Sequence, residues 1–278
     1  RRREPTMRRK ILLIVLDQFR ADLLSGGLAA FAPTPNLDAF AATATCFHNH
    51  HTVAMPCGPA RASLLTGQYA MNHRSVRNGT PLAGHHPSLA TAARAVGVEP
   101  LLFGYADIQP DPTGLAPQDP ARRSYTAPLR GFTEVVEMRE EAWRWLAHLR
   151  ARGYDVPDAG APDFDRLYRP EGGVLGGPAL YRAEDSDTAF LTDRFLEQMD
   201  VRKAAPWLAL LTYIRPHPPL VAPAPYHAAV DPGRLPPPAP PGPDHPFVQA
   251  YFSGPSAAGL YYGFDGDHAR LDPDTAAQ

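Results

Sequence analysis

The eleven residues Cys57-Gly58-Pro59-Ala60-Arg61-Ala62-Ser63-Leu64-Leu65-Thr66-Gly67 place a nucleophile-forming side chain one helical turn ahead of a guanidinium. A proline is tolerated in a first helical turn, Ala-Arg-Ala-Ser-Leu-Leu propagates helix, and Gly67 can end it. Cys57 therefore falls at or just before a helix N-terminus. There the free backbone N–H groups and the positive dipole end favour a phosphate- or sulfate-like group, and Arg61 adds a forked cation. The pattern points to an esterase acting on an anion. A plainer reading stays open, in which Cys57 is a small buried residue before an ordinary helix. A Cys-dependent phosphatase would need its Arg six residues after the Cys, and Ser63 stands there.

Groups of this kind must be delivered by a rigid frame. Three apolar runs each stop at a polar residue able to do chemistry: 11–16 at Asp17-Gln18, 100–104 at Tyr105, and 207–214 at Arg215-Pro216-His217. Parallel strands deliver groups to one sheet edge in this way, so the expected class is α/β, a central mostly parallel sheet flanked by helices. Helices are expected over 34–43, 88–96, 134–151 with Trp143 and Trp145, and 188–199 with Phe190, Leu191, Phe195 and Leu196 on one face. The stretch 107–128 reads as an irregular excursion, and 216–246, with 13 prolines in 31 residues, as an ordered loop. Cys46, in an apolar β-branched stretch, reads as part of a buried strand, and His48, His50 and His51 are assigned to the same sheet rather than to a metal.

Composition sets outer bounds. A chain of 278 residues with 44% hydrophobic content can bury one large α/β core, read as 11–278 after a basic tail at 1–10. A net charge of −2 argues against nucleic acid and membrane surfaces as partners, so anion selectivity must be local. Two cysteines are too few for a disulfide framework, and the apolar run after Lys10 is too short for a signal-peptide core or a membrane span. A cytoplasmic location is expected, with Met7 as a plausible start.

Cys57-x-Pro59-x-Arg61 followed by Thr66-Gly67 resembles, without a mismatch, the signature of the sulfatases of the alkaline-phosphatase superfamily. The resemblance extends to the phosphonate monoester hydrolase branch through Met71-Asn72-His73-Arg74-Ser75-Val76-Arg77-Asn78-Gly79-Thr80, Gly104-Tyr105 leading to Pro110-Asp111-Pro112, and Arg215-Pro216-His217-Pro218-Pro219. It implies that a formylglycine-generating enzyme converts Cys57 to formylglycine. Asp17, Gln18 and residue 57 would hold one divalent cation (Ca, Mn or Mg); Asn78 and Tyr105 would contact the substrate; Arg61 would stabilise charge; and His217 would protonate the leaving group. Gln18 stands where the family carries a second acid, which keeps an oxygen ligand but removes a charge. The lysine that follows Gly-Tyr in arylsulfatases is absent from 104–112.

The implied substrate is a small anionic ester, phosphonate monoesters and phosphodiesters before sulfate monoesters, with arylsulfatase as the alternative. A truncated, non-catalytic anion-binding relative is the alternative of another class. Members of the family often form oligomers, so a homo-oligomer is admitted. The resemblance corresponds to the N-terminal part of the family fold. Asp267-His268 does not follow an apolar run and is rejected as the late metal pair, and Asp272-Pro273-Asp274 reads as a helix start. The fragment alone is expected to hydrolyse little.

Overall fold

The structure, a computed structural model, describes residues 9–119, 122, 128–139, 142–158, 161, 164–173 and 176–237. Asp267-His268, Asp272-Pro273-Asp274 and the second part of the Pro-rich stretch lie outside these residues.

Four strands form one wholly parallel sheet: β1 (Lys10–Leu16), β2 (Pro100–Gly104), β3 (Thr133–Glu137) and β4 (Trp207–Tyr213), in the order β1-β4-β2-β3. The two central strands read as continuous apolar runs because both of their faces are covered. β2 is buried along its whole length and β4 from Leu208 onward. Since Leu16 pairs with Tyr213 and Phe103 with Leu211, the C-terminal ends of β1, β4 and β2 reach one sheet edge.

The α-helices among the described residues are α1 (Asp22–Ser25), α2 (Pro35–Ala41), α3 (Cys57–Thr66), α4 (Ala70–His73), α5 (Leu89–Ala95), α6 (Trp143–Ala151) and α7 (Asp187–Val201). One face of the sheet, through Leu102, Leu208 and Leu210, packs on Ala62 and Leu65 of α3 and Ala90 and Ala93 of α5. On α7, Phe195 sets its ring edge-on to Phe103, with centroids 5.2 Å apart. Two local signals are visible at helix ends. Ser88 and Thr91 form a reciprocal capping box on α5, and Gly67 ends α3 in the left-handed conformation at φ 69°.

The chain divides into two compact units. The first comprises residues 1–17, 49–148 and 187–214 and holds the whole sheet; the second comprises 18–48, 149–186 and 215–278. Within the second, Asp185 is fully buried and takes hydrogen bonds from Arg152 (2.9 Å) and Tyr154 (2.7 Å). The described part of its Pro-rich stretch consists of turns and two single 3-10 turns, Tyr226–Ala228 and Pro232–Arg234.

Three expectations are corrected. The helix over 134–151 is two elements: its start is β3, where the β-branched Val136 pairs with Phe103 of β2, and only Trp143–Ala151 is helical. Within it, Trp145 is buried but Trp143 is exposed, and on α7 Leu196 is exposed. Cys46, His48, His50 and His51 are not in a strand; His48 sits exposed in a turn and the others in exposed irregular backbone, because among the described residues no neighbouring strand takes up that segment's backbone bonds.

Candidate active site

The site assembles where β1 and β2 end and α3 begins, all within the first unit. Asp17 follows β1 directly and is held there by its own N–H, which donates to the Tyr213 carbonyl at 3.1 Å. Cys57 is the first residue of α3, so it stands at the positive end of that helix's dipole; Pro59 in the same turn has no N–H and gives up no ladder bond. Arg61 stands one turn further in and is buried.

The end of β2 is shaped by β4. Gly104 adopts φ 102°, and a side chain there would overlap the Thr212 main chain, so glycine is required by both conformation and space. That close approach lets Thr212 Oγ1 accept from the Tyr105 N–H and donate to the Tyr105 carbonyl, each at 2.7 Å. Tyr105 is thereby fixed with its phenol inside. Its hydroxyl donates to Asp17 in a short hydrogen bond and accepts from Arg61 Nη2 at 3.0 Å, while the guanidinium lies 4.4 Å from the ring centroid. Burial pushes the phenol pKa up; Arg61 opposes this and the Asp17 carboxylate adds to it, so the hydroxyl stays protonated.

Two residues later the backbone takes a left-handed turn at Asp107 (φ 57°), and its carboxylate is buried beside Cys57. Arg61 lies 3.5 Å from the Asp17 carboxylate and 3.9 Å from that of Asp107. Asn78 completes the cluster from an exposed turn: its Nδ2 donates to Cys57 Sγ at 3.1 Å and its Oδ1 accepts the Gly58 N–H at 3.0 Å. A Cβ at position 58 would lie 3.0 Å from that oxygen, so glycine admits the amide to the helix end.

Asp17, Cys57 and Asp107 offer ligand atoms that all lie within 4.8 Å of one another. Two buried carboxylates against one guanidinium leave an excess negative charge, which a divalent cation would compensate. These residues fit such an ion. The thiol itself is poorly activated: burial first, then the Asp107 carboxylate, push its pKa up, and the Asn78 amide only partly opposes them.

Cys57, Arg61, Asn78, Tyr105 and Asp17 are thus brought together. Gln18 and His217 belong to the second unit. Gln18 is exposed with φ 58°. His217 is half-buried, and its Nδ1 lies 2.7 Å from the Pro218 carbonyl, which can only accept, so Nδ1 carries a proton. Arg215 fastens the same loop by donating to the His217 and Pro219 carbonyls at 2.9 and 2.8 Å. Sequence reasoning missed Asp107 and Thr212. The available signal for Asp107 was an acid three residues past a buried strand that ends at the same sheet edge as Asp17. For Thr212 the signal was the one threonine inside the apolar run 207–214.

A family profile described as Sulfatase matches residues 9–236. Among characterised proteins, the chain is 36% identical over 281 residues to the multifunctional alkaline phosphatase superfamily protein PehA of Trinickia caryophylli, covering 95% of this chain and 54% of that protein. Among solved structures, it is similar to a phosphonate monoester hydrolase of Silicibacter pomeroyi (49% identity, TM-score 0.86) and to that of Agrobacterium radiobacter (34%, TM-score 0.82). Both superpositions cover 97% of this chain and 54% of the other. The chain spans about half the length of these relatives.

Proposed function

The chain belongs to the sulfatase family, and from that premise we propose that it forms the cation- and anion-binding part of a hydrolase of small anionic esters. Phosphonate monoesters and phosphodiesters are the preferred substrates. The single observation that carries this reading is the meeting of Asp17, residue 57 and Asp107 within 4.8 Å, next to a buried Arg61 and the first turn of α3. The similarity to two phosphonate monoester hydrolases and the absence of a lysine after Gly104-Tyr105 support the order of substrates.

A divalent cation, when bound, supplies Lewis-acid activation and charge compensation. Formylglycine, produced from Cys57 by a formylglycine-generating enzyme, supplies a hydrated aldehyde as nucleophile in place of a protonated thiol. Asp17 and Asp107 would hold the ion, and Gln18 would offer a neutral oxygen ligand. Arg61 lies beside both carboxylates and adds positive charge behind the reacting centre. Asn78 Nδ2 is a donor for the substrate's anionic oxygens at the positive end of the α3 dipole, and Tyr105 is the second substrate contact. His217 holds its Nδ1 proton on Pro218, which leaves Nε2 as the atom that passes a proton to the leaving group. Among the described residues no helix is long and apolar enough to cross a membrane.

Turnover of 4-nitrophenyl esters by the complete product of the gene tests the order of substrates. A larger kcat/KM for the phenylphosphonate than for the sulfate is expected, and a dominant sulfate rate makes the enzyme an arylsulfatase instead.

A further inference from the structure

Asn78 sits at the tip of a turn in which Val76, Arg77 and Asn78 are all exposed, so little apolar packing holds its amide at the helix end. The fastening comes from elsewhere. His73, the last residue of α4, is 1% exposed. Its Nδ1 accepts the Ser75 N–H at 3.1 Å, so that nitrogen bears a lone pair. The ring proton is then on Nε2, which donates to Ser63 Oγ on α3 at 2.9 Å. The ring therefore ties the helix that carries residue 57 and Arg61 to the start of the turn that carries Asn78. Ser75 closes the other end by donating its Oγ to the Thr80 carbonyl at 3.0 Å, and the Thr80 N–H donates to the Arg77 carbonyl at 3.0 Å.

We propose that His73 is a positioning residue that, through Ser75, holds the Asn78 amide against residue 57 and Gly58. The device requires the neutral ring. A proton on Nδ1 would face the Ser75 N–H, and burial, with His86 nearby, disfavours the imidazolium. No other side chain offers an acceptor and a donor at those two ring positions. Asparagine can reproduce the Nδ1 acceptor with Oδ1, and glutamine can reproduce the Nε2 donor with its amide nitrogen. The weight of this inference for turnover rests on the proposed role of Asn78, but its test needs no turnover.

The Gly58 N–H is the second in α3, where the helix itself provides no acceptor, so its exchange with solvent reports whether Asn78 Oδ1 is seated. Amide hydrogen exchange at Gly58 is measured in the complete gene product for wild type, N78A, H73Q, H73N and S75A, with Phe103 and Leu210 as fold controls. N78A sets the released rate. H73Q and S75A are expected to raise Gly58 exchange roughly tenfold while the control amides stay protected, and H73N to stay close to wild type. If H73Q does not fold, S75A and H73N decide. Wild-type protection of Gly58 in folded H73Q or S75A, or loss in folded H73N equal to that in N78A, overturns the proposal. Failure of the hydrolase reading would leave these rates untouched.

Discussion

At the scale of single residues, the thiol of Cys57 is the wrong nucleophile for its own site. Burial and the neighbouring Asp107 carboxylate raise its pKa, so at neutral pH less thiolate is present than in an ordinary cysteine. Iodoacetamide labelling in a Cys46→Ser background should accordingly be slow at pH 7 and keep rising beyond the pH at which a free thiol levels off; a rate matching a free thiol would contradict the described surroundings. The sign for stability follows from the same shift. As pH rises through the ordinary thiol range, the unfolded chain releases this proton before the folded one, so folding stability falls. Cys57, Arg61, Asn78, Tyr105 and Asp17 were legible in the sequence because a fixed motif or a strand end marks each. Asp107 was not: nothing local distinguishes an acid in an irregular stretch until a left-handed turn aims it at residue 57.

At the scale of elements, the site depends on how closely β2 approaches β4. Gly104→Ala forces a Cβ into the Thr212 main chain at a positive φ, and should destabilise by at least about 2 kcal/mol, measured by chemical denaturation. Thr212→Val keeps the shape but leaves the buried Tyr105 N–H and carbonyl without the Oγ1 partner; a loss of about 1–3 kcal/mol is expected. A neutral Thr212→Val would mean that Tyr105 is held by other contacts. Strand positions 11–16, 100–104 and 207–214 were readable from uninterrupted apolar runs, and the end of α3 from Gly67, since these are local signals. The segment 134–151 was misread because its Glu-Val-Val-Glu start is settled by pairing with β2, a tertiary choice that periodicity does not contain. Cys46 was misread for the converse reason, an apolar stretch that no strand takes up.

At the scale of the whole molecule, a parallel sheet gathers one acidic residue from β1, a tyrosine and an acid from beyond β2 and a helix N-terminus into one buried cluster with excess negative charge. Folding and cation binding should be linked. Manganese or calcium at about 100 times its dissociation constant should stabilise the protein by about 2.7 kcal/mol, seen as a rise in the thermal midpoint, and Asp107→Asn should remove most of that rise. A full rise in Asp107→Asn would take Asp107 out of the ligand set. The central claim, that residue 57 is the hydrolytic centre of an anionic-ester hydrolase, is tested most directly by one comparison. The complete gene product is made together with a formylglycine-generating enzyme, and hydrolysis of 4-nitrophenyl phenylphosphonate is measured for wild type and Cys57→Ala in the presence of divalent cation. Turnover by the wild type that disappears in Cys57→Ala is the predicted result; equal turnover by both proteins, or none by the wild type with residue 57 converted, would contradict it.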